Sequence, residues 1–149
     1  MAKIRLTKEF FFEMAHALWN YDGACSNIHG HSYRLLVTVL GEPIDDPSHP
    51  KNGMVMDFGE LKKIVNEEIV KPFDHAVVIS SLVPPDMYSK MGVMMANKMV
   101  VDYQPTCENF LNDFQARIQK NLPSHLKLVA LILHETPTSY AEWLSSDNE

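Results

Sequence analysis

Residues 126–135 (LKLVALILHE) are apolar on both alternations of an extended chain: Leu126, Leu128, Ala130 and Ile132 on one, Val129, Leu131 and Leu133 on the other. Side chains two apart share a strand face, so this run reads as a strand with both faces buried. Residues 3–15 (KIRLTKEFFFEMA) read as an opening strand, with Ile4, Leu6, Phe10 and Phe12 keeping partial period-two order. Residues 31–41 (HSYRLLVTVLG) read as a second strand, separated from the first by a polar, Gly-bearing loop from Asn20 to Gly30, and the two are expected to pair antiparallel. Residues 138–144 return as a last strand.

Two helices lie between these strands. Asp57 stands at an N-cap with Glu60 three residues on, as in a capping box. Phe58, Leu61, Ile64, Val65 and Ile69 then make one apolar stripe, and Pro72 is expected to stop the helix. The second helix opens at Pro105-Thr106, carries Phe110, Leu111, Phe114 and Ile118 on one face, and ends at Leu122-Pro123. Between them, Met87, Met91, Met94, Met95 and Met99 fall at helical spacing and read as core filling, with Met99 to Tyr103 a short extra strand. The order strand-strand-helix-helix-strand-strand predicts an α+β fold, with helices on one face of an antiparallel sheet.

The chain of 149 residues, 46% hydrophobic and 21% charged, fits one domain over residues 1–149. A net charge of −6 is poorly suited to gripping nucleic-acid phosphates. The two cysteines, Cys25 and Cys107, are too few for a disulfide framework. No long apolar stretch suggests a signal peptide or membrane span, so a cytoplasmic location is expected.

His29-Gly30-His31 is the sharpest local feature. Residues i and i+2 of a strand point the same way, so both imidazoles can reach one ion. Pairing of the first two strands brings His16 beside them. Three neutral imidazoles with a fourth position open make a catalytic rather than a structural zinc site. Cys25 precedes His29 by four residues; a thiol beside such a site can serve as base or nucleophile, can close the site as a fourth ligand, or can be inert. Asp74-His75 can form a proton-transfer pair, but a surface histidine at a helix end explains the dipeptide better when it is taken alone. Glu135 ends the apolar strand, either as a surface charge or as an anchor for a matching donor edge. Glu108 is explained by the helix dipole, and Cys107 beside it is the rival nucleophile. His49 and His125 fall in loops, and His134 alternates away from Glu135.

The ordered segments Phe12-Glu13-Met14-Ala15-His16, Cys25-Ser26-Asn27-Ile28-His29-Gly30-His31, Met56-Asp57-Phe58, Asp74-His75, Pro105-Thr106-Cys107-Glu108-Asn109 and His134-Glu135-Thr136 together resemble the 6-pyruvoyltetrahydropterin synthase and 6-carboxytetrahydropterin synthase family from about residue 3 to residue 144. That resemblance implies the tunnelling fold, a four-stranded antiparallel sheet with two helices on one side. It implies trimers whose sheets join into a barrel, stacked in pairs as homohexamers with active sites between subunits. It implies Zn2+ on His16, His29 and His31, Cys25 as proton-abstracting base, and Asp74-His75 as a relay from a neighbouring subunit. It implies Glu135 as anchor for the pterin's amino-pyrimidine edge, assisted by Thr106 and Glu108.

Two activities share that scaffold, both on 7,8-dihydroneopterin triphosphate. One eliminates triphosphate to give 6-pyruvoyltetrahydropterin, for tetrahydrobiopterin biosynthesis. The other gives 6-carboxytetrahydropterin, acetaldehyde and triphosphate, for queuosine biosynthesis. Three residues separate Cys25 from His29, a short spacer that resembles the queuosine type. Cys25 also differs from the glutamate of folate-linked variants, whereas Met14 and the Met-rich segment 84–97 depart from the usual pattern. From other classes, a zinc hydrolase would not need Cys25, and a non-catalytic zinc module would use it as fourth ligand.

Overall fold

The computed structural model describes residues 1–149, the side chain of Ala24 excepted. Strands β1 (Ile4–His16) and β2 (His29–Gly41) pair antiparallel along their whole length, from Ile4 opposite Gly41 to His16 opposite His29. β5 (Lys127–Thr136) adds antiparallel to β2, and β6 (Ser139–Leu144) adds antiparallel to β5. These four are the antiparallel sheet expected from the sequence.

The sheet nevertheless has six strands, in the order β4-β3-β1-β2-β5-β6. β3 (Val77–Ser80) lies parallel to β1 through Ala15–Val77 and His16–Val78, and β4 (Lys98–Val101) lies parallel to β3. The expected four-stranded sheet is therefore corrected. β4 overlaps the short extra strand expected over Met99 to Tyr103, whereas the four residues of β3 carry too little periodicity to be distinguished from loop. Parallel neighbours need a crossover, and the Met-rich segment supplies it. It does so as 3-10 turns, Pro85–Met87 and Ser89–Met95, rather than as the expected helix. Gly92, at φ 58° and ψ −129°, breaks the second turn in a conformation that side chains with a Cβ rarely adopt. Met95 is buried there, but Met87 and Met94 are exposed, so core filling describes only part of the stripe.

α1 (Phe58–Val65) is capped by the Asp57 carboxylate, which accepts from the Gly59 N–H at 2.7 Å. Glu60 pairs with Lys51 rather than completing a capping box. The helical stretch ends one residue beyond Pro72, close to where it was expected to stop. It widens into a π-helical segment (Asn66–Val70) and closes with the short α2 (Lys71–Phe73), where the proline sits in a first turn that needs no N–H from it. Leu61, Val65 and Ile69 are buried, whereas Phe58 is exposed and lies outside the stripe assigned to it. α3 (Cys107–Asn121) buries Phe110, Leu111, Phe114 and Ile118 as expected.

Both helical stretches cover one face of the sheet, where Phe10, Phe12, Tyr33, Leu35 and Val37 meet them. Phe114 packs edge-on to Phe12 and to Phe73, with centroids 6.2 and 5.0 Å away. It joins both helices to the sheet, so Phe114→Ala is expected to lower unfolding free energy by about 3–5 kcal/mol in denaturant titration.

One irregularity in β5 decides which way its end faces. Thr38 lies opposite Ala130 but Val39 lies opposite Leu128, leaving Val129 as an extra residue. A bulge of this kind shifts the alternation by one. Leu126 and Leu128 before it, and Leu131 and Leu133 after it, all join the helix-covered core. The two faces read from the sequence are thus corrected: Ala130 and Ile132 lie on the opposite side and are only half-buried. None of the helices among the described residues is long and apolar enough to cross a membrane.

Candidate functional site

The β1–β2 register fixes the imidazoles. His16 lies opposite His29, and Met14 opposite His31, so three rings converge on the helix-covered face at one end of the hairpin. Their donor atoms all lie within 4.8 Å of one another, and His16 Nε2 and His29 Nε2 are 3.0 Å apart. His16 Nδ1–H donates to the Pro105 carbonyl at 2.6 Å, and His29 Nδ1–H to the Asn27 carbonyl at 2.7 Å. These bonds select the tautomers that leave both Nε2 lone pairs free. Burial pushes the His16 pKa below its usual value and favours the neutral ring.

His31 Nε2 is buried without a hydrogen-bond partner, an expensive condition for a ring nitrogen unless an ion takes its lone pair. The donor set therefore fits a divalent metal, and three neutral imidazoles with room for a fourth ligand suit Zn2+.

Beside the cluster is a cavity of about 330 Å³, lined by His16, Cys25, Thr106, Cys107, Glu108 and Glu135. Glu135 Oε1 is 3.7 Å from His31 Nε2. It reaches this side because the Val129 bulge puts it in phase with Leu131 and Leu133; without the bulge it would point away. Thr106 caps α3, its hydroxyl oxygen accepting from the Asn109 N–H at 3.3 Å. Glu108 follows in the first turn, where the helix dipole favours its charge. Cys25, Thr106, Glu108 and Glu135 thus line one cavity together with His16.

Asp74 and His75 are not among them. His75 Nδ1 is 3.0 Å from Asp74 Oδ1, and the His75 side chain is 76% exposed. The Asp74 carboxylate accepts from the Glu13 N–H at 2.9 Å. His75 borders a second cavity, of about 290 Å³, which Met14 and His31 also line together with the four strand residues Glu13, Ala15, Gly30 and Ser32. Those strand residues alternate with Met14, His16, His29 and His31, so they look out from the other side of the sheet. His134 also lies on that side, its ring 4.6 Å from Tyr140, as its alternation with Glu135 predicts.

Cys107 is less well disposed to act as a nucleophile. Its thiol donates to the Leu133 carbonyl at 3.2 Å, and burial pushes its pKa up to about 12, only partly offset by the backbone of Ala141. Cys107→Ser keeps a donor for that carbonyl and is expected to leave turnover within about threefold of the parent. In the folded parent at pH 8, peptide mapping after iodoacetamide treatment should find Cys107 unlabelled.

Several groups at the site carried no sequence signal. The carbonyls of Pro105 and Asn27 orient the imidazoles through backbone atoms that every residue shares. The Tyr33 hydroxyl is buried under the rings with no partner among the described residues, and burial raises its pKa. Tyr33 shares the strand period of His29 and His31, which is the clue that was available.

The profile of the 6-pyruvoyl tetrahydropterin synthase family matches residues 5–145. A 6-carboxy-5,6,7,8-tetrahydropterin synthase from Haemophilus influenzae is 33% identical over 141 residues, covering 93% of this chain and 97% of the relative. The enzyme of the same name from Aquifex aeolicus is 30% identical over 166 residues, covering 95% and 98%. Among solved structures, an uncharacterized protein from Wolinella succinogenes superposes with a TM-score of 0.75 at 19% identity, covering 97% of this chain and 99% of that one. The 6-pyruvoyl tetrahydropterin synthase of Caenorhabditis elegans does so with a TM-score of 0.67 at 22% identity, covering 97% and 96%. These structural likenesses extend the fold assignment across nearly all of the chain. With the sequence match spanning both the histidine hairpin and the strand that ends in Glu135, the chain belongs to the 6-pyruvoyl tetrahydropterin synthase family.

Proposed function

We propose that this protein is a zinc-dependent lyase that converts 7,8-dihydroneopterin triphosphate to 6-carboxytetrahydropterin, acetaldehyde and triphosphate, the queuosine-branch reaction. The observation that carries this reading is the convergence of His16, His29 and His31 beside a cavity that also holds Cys25 and Glu135. The three-residue spacer between Cys25 and His29 supports the branch, as do relatives bearing the 6-carboxy name at 30–33% identity.

Each residue has a distinct task. His16, His29 and His31 would hold Zn2+, which when bound supplies Lewis-acid polarisation of the substrate's side-chain hydroxyls. The Cys25 thiolate accepts a proton from the substrate side chain. Glu135 pairs through both oxygens with the ring N–H and exocyclic amino group of the pterin, with Thr106 and Glu108 bordering the same space. The Asp74–His75 pair lies outside the cavity that holds Cys25 and Glu135, which supports a role as relay for a neighbouring subunit's site. An oligomer with sites between subunits, a trimer or hexamer, follows from that division.

Incubating the zinc-loaded protein with 7,8-dihydroneopterin triphosphate tests the reading. Acetaldehyde together with the 6-carboxy product supports it. A 6-pyruvoyl product without acetaldehyde assigns the chain to the biopterin-type reaction instead. Release of neither product, with hydrolysis of the triphosphate alone, sinks both lyase readings. Glu135→Ala is expected to raise KM by about 10–100-fold, the equivalent of the ~1.5–3 kcal/mol of charge-assisted hydrogen bonding it removes. Steady-state kinetics on the metal-replete variant measure this.

A further inference from the structure

Cys25 lies in a loop between β1 and β2 that has no strand pairing of its own, and a base must be held to within a fraction of an ångström to work. Gln104 supplies an anchor for that loop. Its side-chain Oε1 accepts from the Trp19 N–H at 3.0 Å, and its Nε2–H donates to the Trp19 carbonyl at 2.8 Å. One amide side chain thus satisfies both backbone groups of Trp19, as an adjacent strand would. The neighbouring Leu18 N–H donates to the Cys25 carbonyl at 2.9 Å, which closes the loop at the thiol-bearing residue.

Gln104 is itself fixed. Its carbonyl accepts from Asn109 Nδ2–H at 3.0 Å and from the Thr106 N–H at 2.7 Å, tying it to the start of α3. Its sequence neighbour Pro105 accepts the Nδ1–H of His16. The tripeptide Gln104-Pro105-Thr106 therefore grips the loop with its first residue, orients an imidazole with its second and caps a helix with its third.

We propose that Gln104 is a positioning residue that holds the Cys25 loop against the imidazole cluster. The proposal rests on the reading of Cys25 as base. Gln104 belongs neither to the imidazole cluster nor to the lining of its cavity, so its removal is expected to act on the rate rather than on ion retention. Gln104→Ala removes both hydrogen bonds to Trp19. Gln104→Glu preserves size but replaces the donor by an oxygen facing the Trp19 carbonyl, so a clamp fails where a space-filler would survive.

The test compares both variants with the parent, each in its metal-replete form. kcat is expected to fall by about 10–100-fold with KM within about threefold. Metal stoichiometry should be unchanged, and amide hydrogen exchange over residues 18–25 should be faster. Parental kcat in either variant overturns the proposal. So does slower turnover without faster exchange over 18–25, and so does loss of metal along with rate, which would place the effect at His16. Cys25→Ala separates the two levels. If that variant keeps full turnover, the reading of the thiol as base fails, and exchange over 18–25 in Gln104→Ala still decides whether Gln104 holds the loop.

Discussion

His29→Ala is expected to purify without its metal and to lose turnover by more than about a thousandfold. His29 supplies one of three converging donors, and its Nε2 is 3.0 Å from that of His16. Two imidazoles cannot enclose a tetrahedral ion with only one vacancy, so affinity and chemistry fall together. The ring stands at the first residue of β2, where its removal opens no void in the core. Thermal unfolding of the apo variant should therefore match that of the chelated parent protein. Metal analysis alongside turnover checks the result; a variant that retains one ion per chain and full activity contradicts the assignment of the triad.

Cys25→Ala separates proton transfer from ion binding. It is expected to keep parental metal content and lose turnover by about 10²–10⁴-fold, the range for removing a positioned acid or base. The opposite pattern has a definite meaning. If the alanine variant also releases its ion, Cys25 is a fourth ligand and the centre is closed. If it retains activity, the hydrolase reading, in which metal-bound water is activated without a thiol, becomes the better account.

The histidine hairpin was legible because strand periodicity is a strict rule. Once β1 and β2 are recognised as neighbours, His29, His31 and His16 must share a face, and the structure has them do so. The stripe of α3 was legible for a similar reason, since Phe110, Leu111, Phe114 and Ile118 mark one side of an uninterrupted helix. β3 was harder to read, because four residues carry little pattern and its pairing with β1 depends on chain that is distant in sequence, whereas β4, expected as a short strand, pairs with β3. Pro72 marked the end of the first helical stretch to within a residue, but the π turn before it left no signal in the sequence. The Met-rich stripe misled because helical spacing does not guarantee a helix once Gly92 takes a positive φ.

Among the site residues, chemistry was easier to read than direction. Cys25, Glu108 and Glu135 declare themselves as reactive types, but which way Glu135 faces depends on a bulge four residues inside an apolar run. For Asp74–His75, only the family resemblance suggested service to a neighbouring subunit's site. Nothing in a dipeptide on a turn, with His75 at φ 61°, says which centre it serves.

The unpaired Val129 gives the length of β5 a chemical meaning that residue identity alone does not have. Deleting that one valine would join Leu128 directly to Ala130 and leave every side chain beyond it facing as before, because only the unpaired residue is lost. Keeping it while straightening the strand would instead turn Leu131, Leu133 and Glu135 to the far side and bring Ala130, Ile132 and His134 inward. Spacing in this segment therefore matters as much as side chains: a regular strand one residue shorter is equivalent to the bulged one, and a regular strand of the present length is not.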